Sequence, residues 1–161
     1  MGFLDGLFKK GDIEIFSPVK GKCVSIHEVS DSTFGEEIIG KGVAVIPESG
    51  DIYAPADGEI TALFPTYHAV AVTTTEGAEV LVHIGLDTVN LEGKGYTCHV
   101  KKGQKVKKGD LLIQADIEQI KAEGYDMITP IVICNTSDYS EIEEMIDKQV
   151  MPGDMVMKLK R

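Results

Sequence analysis

The sequence has no tryptophan, only three cysteines and no long apolar run, and each shortage removes a class of protein. Cys23, Cys98 and Cys134 are odd in number and show no CxxC spacing, which argues against a disulfide framework and against a structural zinc site. Buried free thiols are expected instead. No apolar stretch approaches the roughly 18 residues of a membrane span, and the N-terminus lacks the h-region and cleavage site of a signal peptide, so a cytoplasmic chain is expected, peripheral to a membrane at most. Basic residues number 16 against 26 acidic ones, for a net charge of −10. That balance disfavours nucleic acid and suits a basic protein partner. Walker-type phosphate loops, G-x-G-x-x-G after a strand, the nucleophile elbow and HExxH are all missing. Any phosphoryl group handled here must therefore arrive already activated on a partner.

What remains is a β-rich pattern of 161 residues, long enough for one domain with a full core. Seventeen glycines and six prolines punctuate short apolar runs. FSPVKGKCVSI at Phe16 to Ile26 matches YAPADGEITAL at Tyr53 to Leu63, with Pro18 and Pro55, and Gly21 and Gly58, in register. KKGDLLIQ at Lys107 to Gln114 is echoed by MPGDMVMK at Met151 to Lys158, each with a Gly-Asp turn releasing a short strand. Two similar halves closing one all-β sandwich or barrel are expected. Helix is scarce. Asp116 with Gln119 predicts a short capped helix that stops near Gly124, and Ser140 with Glu143 predicts a second that ends before Pro152. Residues 1–12 read as a flexible tail with Phe3, Leu4, Leu7 and Phe8 at helix-like spacing, and residues 13–161 as the domain.

The chemistry concentrates in EVLVHIGLDTV, Glu79 to Val89, and in the run from Tyr67 to Thr74 before it. Both runs have strand character, and Thr75-Glu76-Gly77-Ala78 between them has turn chemistry. A two-residue loop at Glu76-Gly77 pairs Val70 with His83 and His68 with Gly85, placing His68 and His83 diagonally on one face. At that spacing, about 7–8 Å between Cα atoms, two imidazoles can address one small anion or metal. A three-residue loop would put them on opposite faces. His27 and His99 stay unassigned.

Two converging imidazoles permit two kinds of chemistry. In phosphoryl transfer one neutral ring attacks phosphorus while a second group stabilises the equatorial oxygens. A zinc-dependent hydrolase is the alternative, with Asp87 as a third ligand or one supplied by a partner. A regulatory binding module that uses the same pair is a further alternative. No cofactor is required by the first or third reading.

The stretches EVLVHIGLDTVNLEGKGY, PTYHAVAV, the SPVKGK and APADGE turns, and TPIVICN at Thr129 to Asn135 resemble the glucose-type enzyme IIA of the bacterial phosphoenolpyruvate-dependent sugar phosphotransferase system. The resemblance runs from about Ile13 to the C-terminus. It implies an antiparallel β-sandwich of duplicated half-barrel motifs with one or two short helices. It further implies that His83 accepts a phosphoryl group from the histidine-containing phosphocarrier protein and passes it to a cysteine on the IIB domain of a sugar permease. On the same footing, the Gly85 carbonyl would orient the His83 ring, His68 would contact the phosphoryl group, Thr66 would align His68, and Asp87 would hold basic side chains of the partner. Regulated transporters or kinases are further partners found in the family. Ser32, where proline is frequent, and Lys41, where an acidic residue is frequent, depart from the family pattern in the Ser30 to Gly42 loop, part of the docking rim. Beginning with Met and closing on VMKLKR, the chain is expected to be a free-standing IIA protein.

Overall fold

Each Pro-x-x-Gly segment joins two strands, and the two copies hold each other. The computed structural model describes residues 11–161, so most of the expected tail lies outside the described residues. Strand β1 (Ile13–Phe16) leads through Pro18 into β2 (Gly21–Ser25), and β4 (Asp51–Tyr53) leads through Pro55 into β5 (Gly58–Leu63). The Phe16 N–H donates to the Pro55 carbonyl at 2.9 Å, and the Tyr53 N–H donates to the Pro18 carbonyl at 2.7 Å. Equivalent residues of the repeat therefore exchange hydrogen bonds across an approximate two-fold axis. The repeated glycines serve one purpose. A Cβ on Gly21 would stand 2.1 Å from the Ile46 carbonyl oxygen, and one on Gly58 would stand 2.2 Å from that of Thr73.

The Gly-Asp echo obeys the same symmetry. Asp110 accepts the Lys107 N–H and Asp154 accepts the Met151 N–H, each at 2.8 Å. Gly109 and Gly153 take φ near +90° in these turns, a conformation that glycine adopts without a Cβ clash. The strands that follow are β10 (Leu111–Ala115) and β14 (Met155–Lys160).

The remaining strands are β3 (Lys41–Pro47), β6 (Ala69–Thr74), β7 (Glu79–His83), β8 (Tyr96–Cys98), β9 (Lys105–Val106), β11 (Thr129–Ile133), β12 (Glu141–Glu144) and β13 (Lys148–Val150). An eight-stranded sheet has the order β13-β2-β3-β11-β7-β6-β5-β9, and two three-stranded sheets are ordered β1-β14-β12 and β4-β10-β8. Every described pairing is antiparallel. The all-β sandwich of two similar halves is thus the observed fold.

Strand alternation sorts the apolar side chains into two clusters. Val43, Val45, Val70, Val72, Val80, Val82 and Ile131 join the main core with Ile13, Ile113 and Leu159. Their neighbours Ala44, Ala69, Leu81 and Val132 point the other way and meet Ile26, Phe34 and Ile128 in a second cluster. His83 follows Leu81 by two residues, so the second face is the one it occupies.

Two expectations about local structure diverge. The Asp116 helix forms, spanning Ile117–Ala122 with Asp116 Oδ1 accepting the Gln119 N–H at 3.1 Å. The Ser140 helix does not. Glu141–Glu144 is strand β12, paired with β14 so that Ile142 faces Leu159 and packs against the core. Lys160 lies 3.9 and 3.7 Å from the Glu141 and Glu143 carboxylates. An available sheet edge outweighed a local capping pattern. The cysteines also differ from expectation: all three are free, but only Cys23 is buried, whereas Cys98 is half-buried and Cys134 exposed. Burial pushes the Cys23 thiol up to about 11.

Candidate functional site

His83 ends β7, and its ring meets that of His68 with centroids 5.0 Å apart and planes at 80°. The rings come together by a different route from the predicted one. β6 and β7 pair Ala69 with His83, Val70 with Val82 and Thr73 with Glu79. Thr74 and Ala78 then close a three-residue loop, the Thr74 N–H donating to the Ala78 carbonyl at 2.8 Å. The two-residue loop and its diagonal pairing are therefore incorrect. Under strict alternation His68 would point away from His83. It escapes that rule because β6 begins only at Ala69, and Tyr67 just before it has left-handed backbone at φ +58°. His68 belongs to a turn, so strand alternation does not set its direction.

The His83 ring is fixed by its own strand end. His83 Nδ1 lies 2.7 Å from the Gly85 carbonyl oxygen. A carbonyl only accepts, so Nδ1 carries the proton and Nε2 keeps a free lone pair in the neutral ring. Gly85 has φ +87°, and a Cβ there would stand 2.7 Å from Thr88 Cγ2 and 3.1 Å from the Met127 sulfur. Behind it, the Ile84 N–H donates to the His68 carbonyl at 2.7 Å. The Ile84 carbonyl accepts both the Thr88 and the Tyr96 hydroxyl, at 2.8 and 2.7 Å.

His68 is only 3% exposed. Its Nδ1 is 2.5 Å from Thr66 Oγ1, and Phe64 stands edge-on to its ring at 5.3 Å. Burial, followed by the neighbouring His83, lowers its pKa to about 4. Burial also lowers that of His83, opposed by the Gly85 carbonyl and then by Asp31 and Asp87. Both imidazoles are therefore uncharged at neutral pH.

Sequence reasoning put the Ser30 to Gly42 loop at the docking rim but missed two of its residues, Asp31 and Phe34, that act on His83. Asp31 caps the short helix Ser32–Gly35, its Oδ1 accepting the Thr33 N–H at 2.9 Å, so Ser32 opens that helix. Phe34 in the same turn lays its ring 4.8 Å from that of His83. His27, left unassigned, sits with Nδ1 2.8 Å from the Gly35 carbonyl and so anchors the end of the turn. The available signal was Asp31 two residues before Thr33, a local cap pattern; its approach to His83 depends on how β2 and β3 pair. His99 instead bonds Gln114 at 2.7 Å, and Lys41 starts β3.

Among the described residues no three His, Cys, Asp or Glu side chains are grouped to hold a metal, so Asp87 does not complete a zinc site with the two histidines. A concave patch lined by Thr61, Thr73, Thr75 and Lys105 lies on other residues altogether. Beside His68 the Phe64 ring is exposed to solvent. Among the described residues no helix is long and apolar enough to cross a membrane.

The family model for the phosphoenolpyruvate-dependent sugar phosphotransferase system, EIIA 1, matches residues 13–139. The chain is 50% identical over 145 residues to the beta-glucoside-specific EIIBCA component of Bacillus subtilis (strain 168), covering 90% of this chain and 24% of that protein. It thus spans about a quarter of that relative's length, which also carries the components named B and C. It is 43% identical over 143 residues to the glucose-specific EIIA component of Oceanobacillus iheyensis, covering 89% of this chain and 87% of that one. Glucose permease IIA from Mycoplasma capricolum superposes with a TM-score of 0.85 at 36% identity, over 92% of this chain and 96% of that chain. The duplicated sandwich, the paired histidines on its face and these matches agree: the chain belongs to the EIIA 1 family of the phosphoenolpyruvate-dependent sugar phosphotransferase system.

Proposed function

We propose that the protein is a phosphocarrier in which His83 Nε2 takes a phosphoryl group from the histidine-containing phosphocarrier protein and yields it to a cysteine of a sugar permease's IIB domain. The observation that carries this reading is the pair of rings 5.0 Å apart, with His83 Nδ1 committed to the Gly85 carbonyl at 2.7 Å. The uncharged His83 ring attacks phosphorus through its free Nε2 lone pair, and the donor imidazole departs with the electrons of the broken P–N bond. As Nε2 bonds to phosphorus the His83 ring gains positive charge. The Gly85 carbonyl stabilises that charge, as do the carboxylates of Asp31 and Asp87.

His68 serves the phosphoryl oxygens. With Nδ1 accepting the Thr66 hydroxyl proton, His68 Nε2–H is left to donate to an equatorial oxygen. Asp87, exposed at the rim, is suited to hold basic side chains of a docking protein. The chain works in the cytoplasm and needs no cofactor; zinc would bind His68 and His83 only with a further ligand from a partner. Addition of about two negative charges on phosphorylation is suited to switching association with transporters or kinases.

The test is transfer of label from phosphoenolpyruvate through the general phosphotransferase proteins. Wild-type protein takes up acid-labile label, and His83→Ala falls to background. Acid-labile label on the His83→Ala variant would defeat the assignment.

A further inference from the structure

The segment that carries Asp31 and Phe34 to His83 is a single helical turn, Ser32–Gly35, too short to persist on its own hydrogen bonds. Two features hold its start: Asp31 Oδ1 accepts the Thr33 N–H at 2.9 Å, and Phe34 is buried in the second apolar cluster. Its end is less secure. Glu37, two residues on, takes left-handed backbone at φ +59°, and Ile38 after it is 71% exposed. That end is tied from outside the turn by His27, whose Nδ1 lies 2.8 Å from the Gly35 carbonyl oxygen. A carbonyl only accepts, so Nδ1 carries the proton and donates, a contact suited to the unpaired carbonyls that close a helix.

Packing does not explain the His27 ring. Ile26 takes the buried place in the 3-10 turn Ile26–Glu28, while the His27 side chain is 64% exposed. The ring stands among charges instead. Its Nε2 is 3.8 Å from the Glu37 carboxylate, and its field, like that of Lys41, reaches Glu144 on β12. Its two nitrogens thus face the Gly35 backbone on one side and the carboxylate two residues later on the other. What the same turn presents inward is the chemistry: the Phe34 ring stands 4.8 Å from that of His83 at 52°, and Asp31 opposes the effect of burial on that imidazole.

Resting on the phosphocarrier reading, we propose that His27 is a positioning residue for phosphoryl acceptance, tying the end of the Ser32–Gly35 turn so that Asp31 and Phe34 keep their places beside His83. His27 touches no reacting atom. It acts through those two side chains: Asp31 stabilises the positive charge that the His83 ring gains as Nε2 bonds to phosphorus, and Phe34 limits the tilt of the attacking ring. Without the tie the end of the turn swings outward, Asp31 draws back, and the acceptor ring is held less often in a productive pose. The Nδ1 bond is the part that matters, because it grips the backbone of the turn, whereas Glu37 lies beyond it.

Two amide substitutions separate the ring's nitrogens. Asparagine places an N–H donor near the position of Nδ1, whereas glutamine places one nearer that of Nε2. Single-turnover phosphorylation of His83 by saturating phosphorylated donor protein is expected to slow about fivefold in His27→Ala and His27→Gln, and to stay within about twofold of wild type in His27→Asn. The donor concentration that gives half the maximal rate changes by less than about twofold in all three. NMR titration of the His83 ring in the unphosphorylated protein adds a readout that a merely stabilising bond would not move: withdrawal of Asp31 lowers the midpoint in the Ala and Gln variants and not in the Asn variant. A wild-type rate or an unmoved midpoint in His27→Ala, or equal effects of the Asn and Gln substitutions, would overturn the proposal. Absence of label at His83 in the wild-type protein would instead overturn the phosphocarrier reading, and the proposal with it.

Discussion

The two central strands of the large sheet, β7 and β11, are equivalents under the approximate two-fold axis, and only one of them ends in chemistry. Counted along the register from Gly21 and Gly58, Ala69 opposite His83 corresponds to Gly42 opposite Val132. His68 corresponds to Lys41, and Gly85 to Cys134. Both corners are built alike: a threonine hydroxyl returns to an isoleucine carbonyl at the strand's end, Thr88 to Ile84 at 2.8 Å and Thr136 to Ile133 at 2.6 Å. A short 3-10 turn follows in each, at Thr88–Leu91 and Thr136–Asp138. Where β11 buries Val132 in the second cluster, β7 presents an imidazole at the edge of that cluster. The frame is common property, so the site depends on a few side chains and on one glycine that lets the chain fold back beneath His83.

The largest test of that asymmetry is His68→Gln. Onward transfer to the IIB cysteine is expected to fall about 10²-fold or more, while uptake of label on His83 largely survives. Single-turnover transfer from labelled protein measures it, and equal rates for variant and wild type would reduce His68 to a packing residue. Next comes the backbone. Gly85→Ala combines positive φ with a contact of 2.7 Å to Thr88 and is expected to cost about 2–4 kcal/mol. Its counterpart Cys134→Ala, on an exposed residue, should stay within about 0.5 kcal/mol. Urea unfolding of both variants gives the comparison, and similar losses would break it.

A more gradual effect is on pH dependence. Burial first, and His83 second, hold His68 near 4 in the folded protein, against about 6.5 in an unfolded chain. Below pH 6.5 the unfolded chain binds a proton that the folded ring refuses. Stability therefore declines as pH falls from about 6.5 to about 4 and levels off beneath, by up to about 3 kcal/mol from this group. His83, also lowered, contributes in the same direction. Denaturation midpoints at pH 7.5, 5.5 and 4.5 would show the decline, and His68→Gln should flatten it. A wild-type protein that keeps its full stability at pH 4.5 would contradict the burial of this ring.

Much of the frame was readable because its determinants are local. Pro18 with Gly21 and Pro55 with Gly58 repeat at one spacing ahead of a strand, which is visible in the sequence although the carbonyls that crowd the two glycines lie on neighbouring strands, and Asp116 caps its helix with an oxygen three residues from its target. The errors came where a distant strand decided. Ser140 to Glu143 has the local pattern of a helix start, yet the free edge of β14 drew Glu141–Glu144 into a sheet. The hairpin loop was misjudged by one residue, because Thr74 closes on Ala78 rather than Thr75. The site survived that miscount only because Tyr67 turns His68 out of the strand.

The sequence by itself determined the β architecture, its duplication, and the interest of His83 and His68, whereas Thr66 and Gly85 entered through the family resemblance. The architecture rests on alternation, turn residues and motif spacing, all of which act over a few positions. Tertiary structure alone decided that Asp31 and Phe34 reach His83 across the sheet and that burial keeps both imidazoles uncharged. Proximity between side chains far apart in the chain, and the loss of water that accompanies it, arise only when the strands have packed.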